Sequence, residues 1–154
     1  MFKKLINYII LGVFIDQISK IVLSFFMTLN TSITIIPNFF YLTYVKNTGA
    51  AFSTFIGFRW LFVIVSIIAL NLIYIFFIKD KDLKKYEIIV YAMLLSGIIG
   101  NMIDRIIYGY VIDFLDFVIF NYDFAIFNIA DSFIVISVII LLIASFRGEK
   151  CKNI

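Results

Sequence analysis

Two aspartates stand beside long apolar runs. Asp113 lies in Val111-Ile112-Asp113-Phe114 and Asp131 in Phe127-Asn128-Ile129-Ala130-Asp131-Ser132. Two carboxylates held together away from water cannot both ionise easily, so such a pair shares a proton. It can then deprotonate a water for attack and protonate a leaving amine. Asp131 also has a purely structural reading: Asn128 is a good helix N-cap, and an acid three residues later completes a capping box. The chain has no histidine and a single cysteine, Cys151, in a basic tail. An internal disulfide is therefore excluded and a transition-metal site is not expected.

The elements that must bring the two acids together are membrane helices. The 154 residues are 64% hydrophobic and 15% charged, with mean hydropathy +1.10. A soluble domain is nearer half apolar and a quarter charged. Four apolar runs, 5–23, 60–78, 88–107 and 129–146, each approach the roughly 20 residues that cross the hydrocarbon core. The first follows Lys3 and Lys4, as in a signal peptide. It is too long for a signal h-region, has no small-x-small cleavage site and reads as a retained helix. Nine basic residues flank one side of these spans: Lys3, Lys4, Lys79, Lys81, Lys84, Lys85, Arg147, Lys150 and Lys152. The other side carries two, Lys46 and Arg59. The positive-inside rule places both termini and the 79–87 loop in the cytoplasm. A nucleic-acid role is not expected, because the basic residues flank spans, where they set orientation.

Run three then travels outward and run four returns, which brings Asp113 and Asp131 to one depth at the outer interface. Within run three, Gly97, Gly100, Asn101, Asp104, Arg105 and Tyr108 fall in an arc of about 140° at about 100° per residue. Two readings of this arc are open. It is a close-packed seam glued by an Asp104–Arg105 network, or Asn101 and Arg105 line a polar cavity that opens outward. Gly109 ends the helix. In run one, Asp16 and Lys20 are an i,i+4 pair, either a simple ion pair with Lys20 snorkelling to the outer interface or an anchor beneath an active site. Asn71 in run two is expected to bond another helix.

The outer loop 24–59 predicts two short strands, 31–34 and 39–45, turning at Pro37-Asn38. In Asn47-Thr48-Gly49 a turn is expected with positive φ at Gly49. Asp116 and Asp123 read as solvated interface residues. The chain reads as one domain, 1–154.

Five blocks occur in order: Asp16-Gln17-Ile18-Ser19-Lys20, Asn47-Thr48-Gly49-Ala50-Ala51-Phe52-Ser53, Gly100-Asn101-Met102-Ile103-Asp104-Arg105, and the two aspartate motifs. Together they resemble bacterial lipoprotein signal peptidases, the signal peptidase II family, across nearly the whole chain. The resemblance implies an α-helical integral membrane protein with four transmembrane helices and a small extracytoplasmic β-sheet cradle from the 24–59 loop. It implies an aspartyl endopeptidase of the bacterial cytoplasmic membrane that cleaves diacylglyceryl-modified prolipoproteins before the lipidated cysteine. Asp113 and Asp131 match the catalytic pair. Asn47, Asn101, Arg105, Asn128 and Ala130 match positions that line or support the substrate site, and Asp16 and Lys20 match a supporting pair. No cofactor or metal is implied, globomycin-type cyclic peptides are the implied inhibitors, and a short amphipathic helix outside the membrane is implied without a position. Segment 115–126 matches no block. The rival from another class is a small proton-coupled transporter, which expects its acid near the midplane. A scaffold leaves the intramembrane Asp, Asn and Arg residues unexplained.

Overall fold

The computed structural model describes residues 1–49, 57–120 and 122–146. Ala50, Ala51, Phe52 and Ser53 of the second block lie outside these residues, as do Cys151 and the basic Arg147, Lys150 and Lys152. Four helices are long and apolar enough to cross a membrane. They are α1 (Phe2–Phe26), α2 (Arg59–Ile73, continued by a π-helical turn, Tyr74–Ile78), α3 (Lys85–Ile107) and α4 (Ile129–Phe146). A helix satisfies its own backbone, which is what lets these segments lie in lipid. Their outward faces are apolar: Phe14, Ile64, Val135 and Ile139 are all exposed. Charged and amide side chains are buried instead, among them Asp16, Lys20, Asp104 and Asn128.

The central helix is α3. In its most apolar stretch 61% of residues are buried, against 22% for α1 and 11% each for α2 and α4. Its glycines permit this. A Cβ on Gly97 would collide with the Ala130 carbonyl, and one on Gly100 with the Asp16 carboxylate. The α4 backbone therefore meets α3 at Gly97, and on the α1 side Gly100 leaves room for the Asp16 carboxylate, as small residues allow between membrane helices. α3 stops as its sequence predicts, with Tyr108 as C-cap and Gly109 at φ +82°. That left-handed conformation is the one glycine supplies without strain. Asn71 departs from expectation. Its amide donates to the Ile67 carbonyl of its own helix, 2.8 Å, and the residue is exposed. An exposed amide on a membrane helix can turn back to the carbonyl four residues earlier, which keeps it satisfied within its own helix.

Outside the spans, four strands form one antiparallel sheet in the order β1 (Ser32–Ile36), β2 (Phe40–Asn47), β3 (Val111–Ile119) and β4 (Tyr122–Asp123). The β1–β2 hairpin turns through Asn38 at φ +58°, where the Asn38 N–H donates to the Tyr41 hydroxyl, 2.9 Å. β2 pairs with β3 in two registers. Phe40, Tyr41 and Leu42 face Phe117, Asp116 and Leu115, whereas Val45, Lys46 and Asn47 face Asp113, Ile112 and Val111. The extra residue between them is a β-bulge. Because side chains alternate faces along a strand, the slip turns Asn47 rather than Lys46 onto the face that carries Asp113. The cradle thus draws two of its strands from segment 111–123, not from the 24–59 loop alone. Among the described residues no further helix lies outside the four spans.

Candidate active site

Asp113 projects from β3 and is 2% exposed. Asp131 is the third residue of α4. They are brought together by pairing around Phe127. The Phe127 carbonyl accepts the N–H groups of Phe114 (2.9 Å) and Leu115 (2.6 Å), its own N–H donates to the Leu115 carbonyl (3.0 Å), and its ring stacks on Phe117. Asn128, the next residue, is thereby held beside Asp113, and α4 starts there.

Asn128 then ties the two acids together. Its side-chain oxygen caps α4 by accepting the Asp131 N–H, 3.0 Å, and its backbone N–H donates to Asp131 Oδ2, 3.2 Å. The capping box is real. The Asn128 amide nitrogen also donates to Asp113 Oδ1, 2.6 Å, and to Asn101 Oδ1, 3.1 Å. Asn47 donates to Asp113 Oδ2, 2.9 Å, and Asn101 to Asp131 Oδ1, 2.7 Å. Every carboxylate oxygen of the pair thus accepts a hydrogen bond, which fixes both groups. The structural and chemical readings of Asp131 hold together, because one oxygen closes the cap and the other is held by Asn101.

Both acids line a cavity of about 530 Å³ with Asn47, Asn101 and Arg105. Its other walls are apolar, from Ala125 to Phe127 and from Val135 and Ile136 on α4. The last two are also exposed on the outer surface of the helix. The cavity is therefore flanked by a membrane-facing wall. Burial first, and then the charge of Asp131, push the Asp113 carboxyl up from 3.8 to about 7; hydrogen bonds from Asn47 and Asn128 and the charge of Lys20 oppose this. Arg105 does not touch either acid. It donates to the carbonyls of Asn101 (3.2 Å) and Gly49 (3.1 Å) and lies 4.8 Å over the Phe62 ring, joining α3 to α2 and to the outer loop.

Behind the pair lies a second polar cluster. Lys20 Nζ meets Asp16 Oδ2 at 2.8 Å, Asp104 Oδ2 at 2.9 Å and Asn101 Oδ1 at 3.0 Å. Asp16 Oδ1 accepts the Ala130 N–H, 2.9 Å, which joins α1 to the first turn of α4. Lys20 is 1% exposed and does not snorkel, because three acceptors hold its ammonium inside the bundle. The Asp104–Arg105 network of the seam reading does not form, and Asn101 and Arg105 line the cavity of the other reading. Successive helical residues do not face each other, and Asp104 turns to Lys20 while Arg105 turns to the cavity. Asp104, read from the sequence only as part of the polar arc, and Gln17, which donates to Asp104 Oδ1 at 2.9 Å, are additions to the candidate site residues. An acid inside a span calls for a cation, and Lys20 is the one that lies within another of the four apolar runs, but hydropathy alone does not say that the two meet.

Asp116 is half-buried and accepts the Thr43 hydroxyl, 2.5 Å, so it is not simply solvated; Asp123 is exposed as expected. Gly49 is not among the positive-φ glycines of the described residues, which are Gly57 and Gly109. Its N–H instead donates to Asn47 Oδ1, 3.0 Å, and this side-chain turn replaces the left-handed one. Segment 115–126, which matched no motif, supplies part of β3, all of β4 and the Ala125–Ile126 wall.

Residues 8–147 match the family model described as signal peptidase (SPase) II. A lipoprotein signal peptidase of Staphylococcus carnosus (strain TM300) is 42% identical over 139 residues, 90% of this chain and 87% of the relative. One of Staphylococcus aureus (strain Newman) is 41% identical over 148 residues, covering 94% and 91%. A solved structure described as a bacterial membrane enzyme, determined by the in meso method at 2.3 Å resolution, superposes with TM-score 0.86 at 38% identity, covering 97% of this chain and 91% of that one.

Proposed function

The chain belongs to the signal peptidase II family, and from that premise we propose that Asp113 and Asp131 are the catalytic pair with which it cleaves diacylglyceryl-modified prolipoproteins before the lipidated cysteine. It is a multi-pass membrane peptidase that removes signal peptides from prolipoproteins. The family match leaves the transporter reading without support.

The observation that carries the assignment is the convergence of the two acids on one cavity, each with both oxygens held by amides. Asp131, at the N-terminus of α4 and facing the Asn101 amide, is suited to be the carboxylate that takes a proton from the attacking water. The water oxygen bonds to the scissile carbonyl carbon and a tetrahedral species forms. Asp113, whose carboxyl holds its proton to about pH 7, gives that proton to the leaving nitrogen as the C–N bond breaks. The proton on Asp131 then passes to Asp113, which restores the starting state. Asn47 and Arg105 line the cavity and are placed to orient the substrate backbone. The apolar walls suit the diacylglyceryl group, whose acyl chains stay in the surrounding lipid. Globomycin-type cyclic peptides would compete for the same cavity.

Charge supports the proposed orientation. Nine basic residues on one side against two on the other support a bacterial cytoplasmic membrane orientation with both termini inside and the cavity near the outer face. The deciding experiment is gel-shift turnover of a diacylglyceryl prolipoprotein by purified, folded variants. Asp113→Asn and Asp131→Asn should each abolish cleavage, and the double variant should be scarcely worse, because the two act as one unit. Asp116→Asn and Asp123→Asn should keep substantial activity. Near-normal turnover by either pair variant removes that acid from the mechanism.

A further inference from the structure

Lys20 lines no part of the cavity and takes no step in the hydrolysis described above, yet it is bonded to the machinery at one remove. An ammonium has three donors and no acceptor, and all three donors are used, on Asp16, Asp104 and Asn101. Asn101 must therefore present its oxygen to Lys20. Its nitrogen is left to face Asp131 Oδ1, 2.7 Å. The same oxygen takes a second bond from the Asn128 amide, 3.1 Å, and that amide's remaining donor goes to Asp113 Oδ1, 2.6 Å. One cation thus selects the orientation of two amides, and each amide holds one acid.

We propose that Lys20 is a positioning residue for the catalytic pair, orienting Asn101 and Asn128 so that each amide holds one acid and placing its charge behind them. The inference rests on the assignment of Asp113 and Asp131 as that pair. The charges facing the site are few. α1 supplies Asp16 and Lys20, α3 supplies Asp104 and Arg105, α4 supplies Asp131 and β3 supplies Asp113, while Asn47 on β2 is neutral. Arg105 is committed to the Asn101 and Gly49 carbonyls. Lys20 is a cation whose charge opposes the burial and the Asp131 repulsion acting on Asp113; the Arg105 charge also acts on that carboxylate, and Asp104, paired with Lys20, carries the opposite sign.

This opposition gives the test its direction. The rate of cleavage by detergent-purified full-length protein is measured from about pH 5 to about pH 9, where the basic limb reports loss of the acid's proton. Lys20→Gln keeps a donor but loses the charge, so its basic limb should move up by about one pH unit. Asp104→Asn removes a negative charge and should move the limb down. A merely structural role would lower turnover at every pH and leave the limb in place. Opposite shifts support the proposal, and unmoved limbs or shifts in one direction overturn it. Asp104→Asn leaves Lys20 paired with Asp16, so it decides alone if Lys20→Gln does not fold. Active Asp113→Asn or Asp131→Asn would sink the pair itself, whereas inactive pair variants with unmoved limbs sink this inference only.

Discussion

Replacing Asn128 separates holding the helix from holding the acid. The side chain is fully buried and makes three hydrogen bonds: it accepts the Asp131 N–H and donates to Asp113 and to Asn101. Asn128→Ala deletes a cap, which costs about 1 kcal/mol. It also deletes a bond to a carboxylate, worth about 1.5–3 kcal/mol. The loss of about 3 kcal/mol should lower the melting temperature by roughly 6–12 °C. Asn128→Ser is the informative partner. Serine caps about as well as asparagine, but its oxygen is too short to reach either Asp113 or Asn101. Its stability loss should therefore be smaller, by about the 1 kcal/mol of the cap, while Asp113 is left free to rotate. A displacement of about 1 Å in a reacting group costs roughly 100-fold, so turnover should fall about that far in both variants. The assay pairs thermal unfolding in detergent with gel-shift turnover of a diacylglyceryl prolipoprotein. If Asn128→Ser melts within a few degrees of wild type and keeps turnover within about twofold, Asn128 is a cap and nothing more, and the amide link to Asp113 has no catalytic weight.

The remaining predictions are shorter. Asp113 must be protonated to act as the acid and holds its proton to about pH 7, so the rate should decline as pH rises through that value; a rate still climbing through pH 8 would assign the acid's role elsewhere. Asn47 holds the Asp113 carboxyl down, so Asn47→Ala should carry this decline to higher pH, and an unmoved or lowered limb would contradict the stated cause. Arg105→Ala removes the bonds to Asn101 and Gly49 and the contact with Phe62, and turnover should fall by at least about tenfold; a folded variant with wild-type turnover and substrate affinity would show the guanidinium to be dispensable. A cysteine placed at 82 should resist an impermeant thiol reagent in intact cells, and its labelling from outside would invert the proposed topology.

The four spans were legible in the sequence because a membrane helix is specified locally: about 20 apolar residues suffice, and each segment satisfies its own hydrogen bonds. Run 129–146 coincides with α4, and the other three differ only at their ends. The meeting of Asp113 and Asp131 was also legible, since an outgoing and a returning helix place their outer ends side by side. Strand β3 was not. Asp113 and Asp116 are three apart and so point to opposite faces, which breaks the alternation that marks a half-buried strand. Only pairing with β2, Phe127 and β4 makes one acid a cavity residue and the other a partner of Thr43. The bulge in β2 was equally hidden, although it decides that the neutral Asn47 and not the cationic Lys46 shares a face with Asp113. So was the choice of Asp104 over Arg105 as the residue bound to the Asp16–Lys20 pair. Register and partner choice are properties of two segments at once. They are decided where backbones pair and buried charges must find each other, and neither condition is written in the hydropathy of a single stretch.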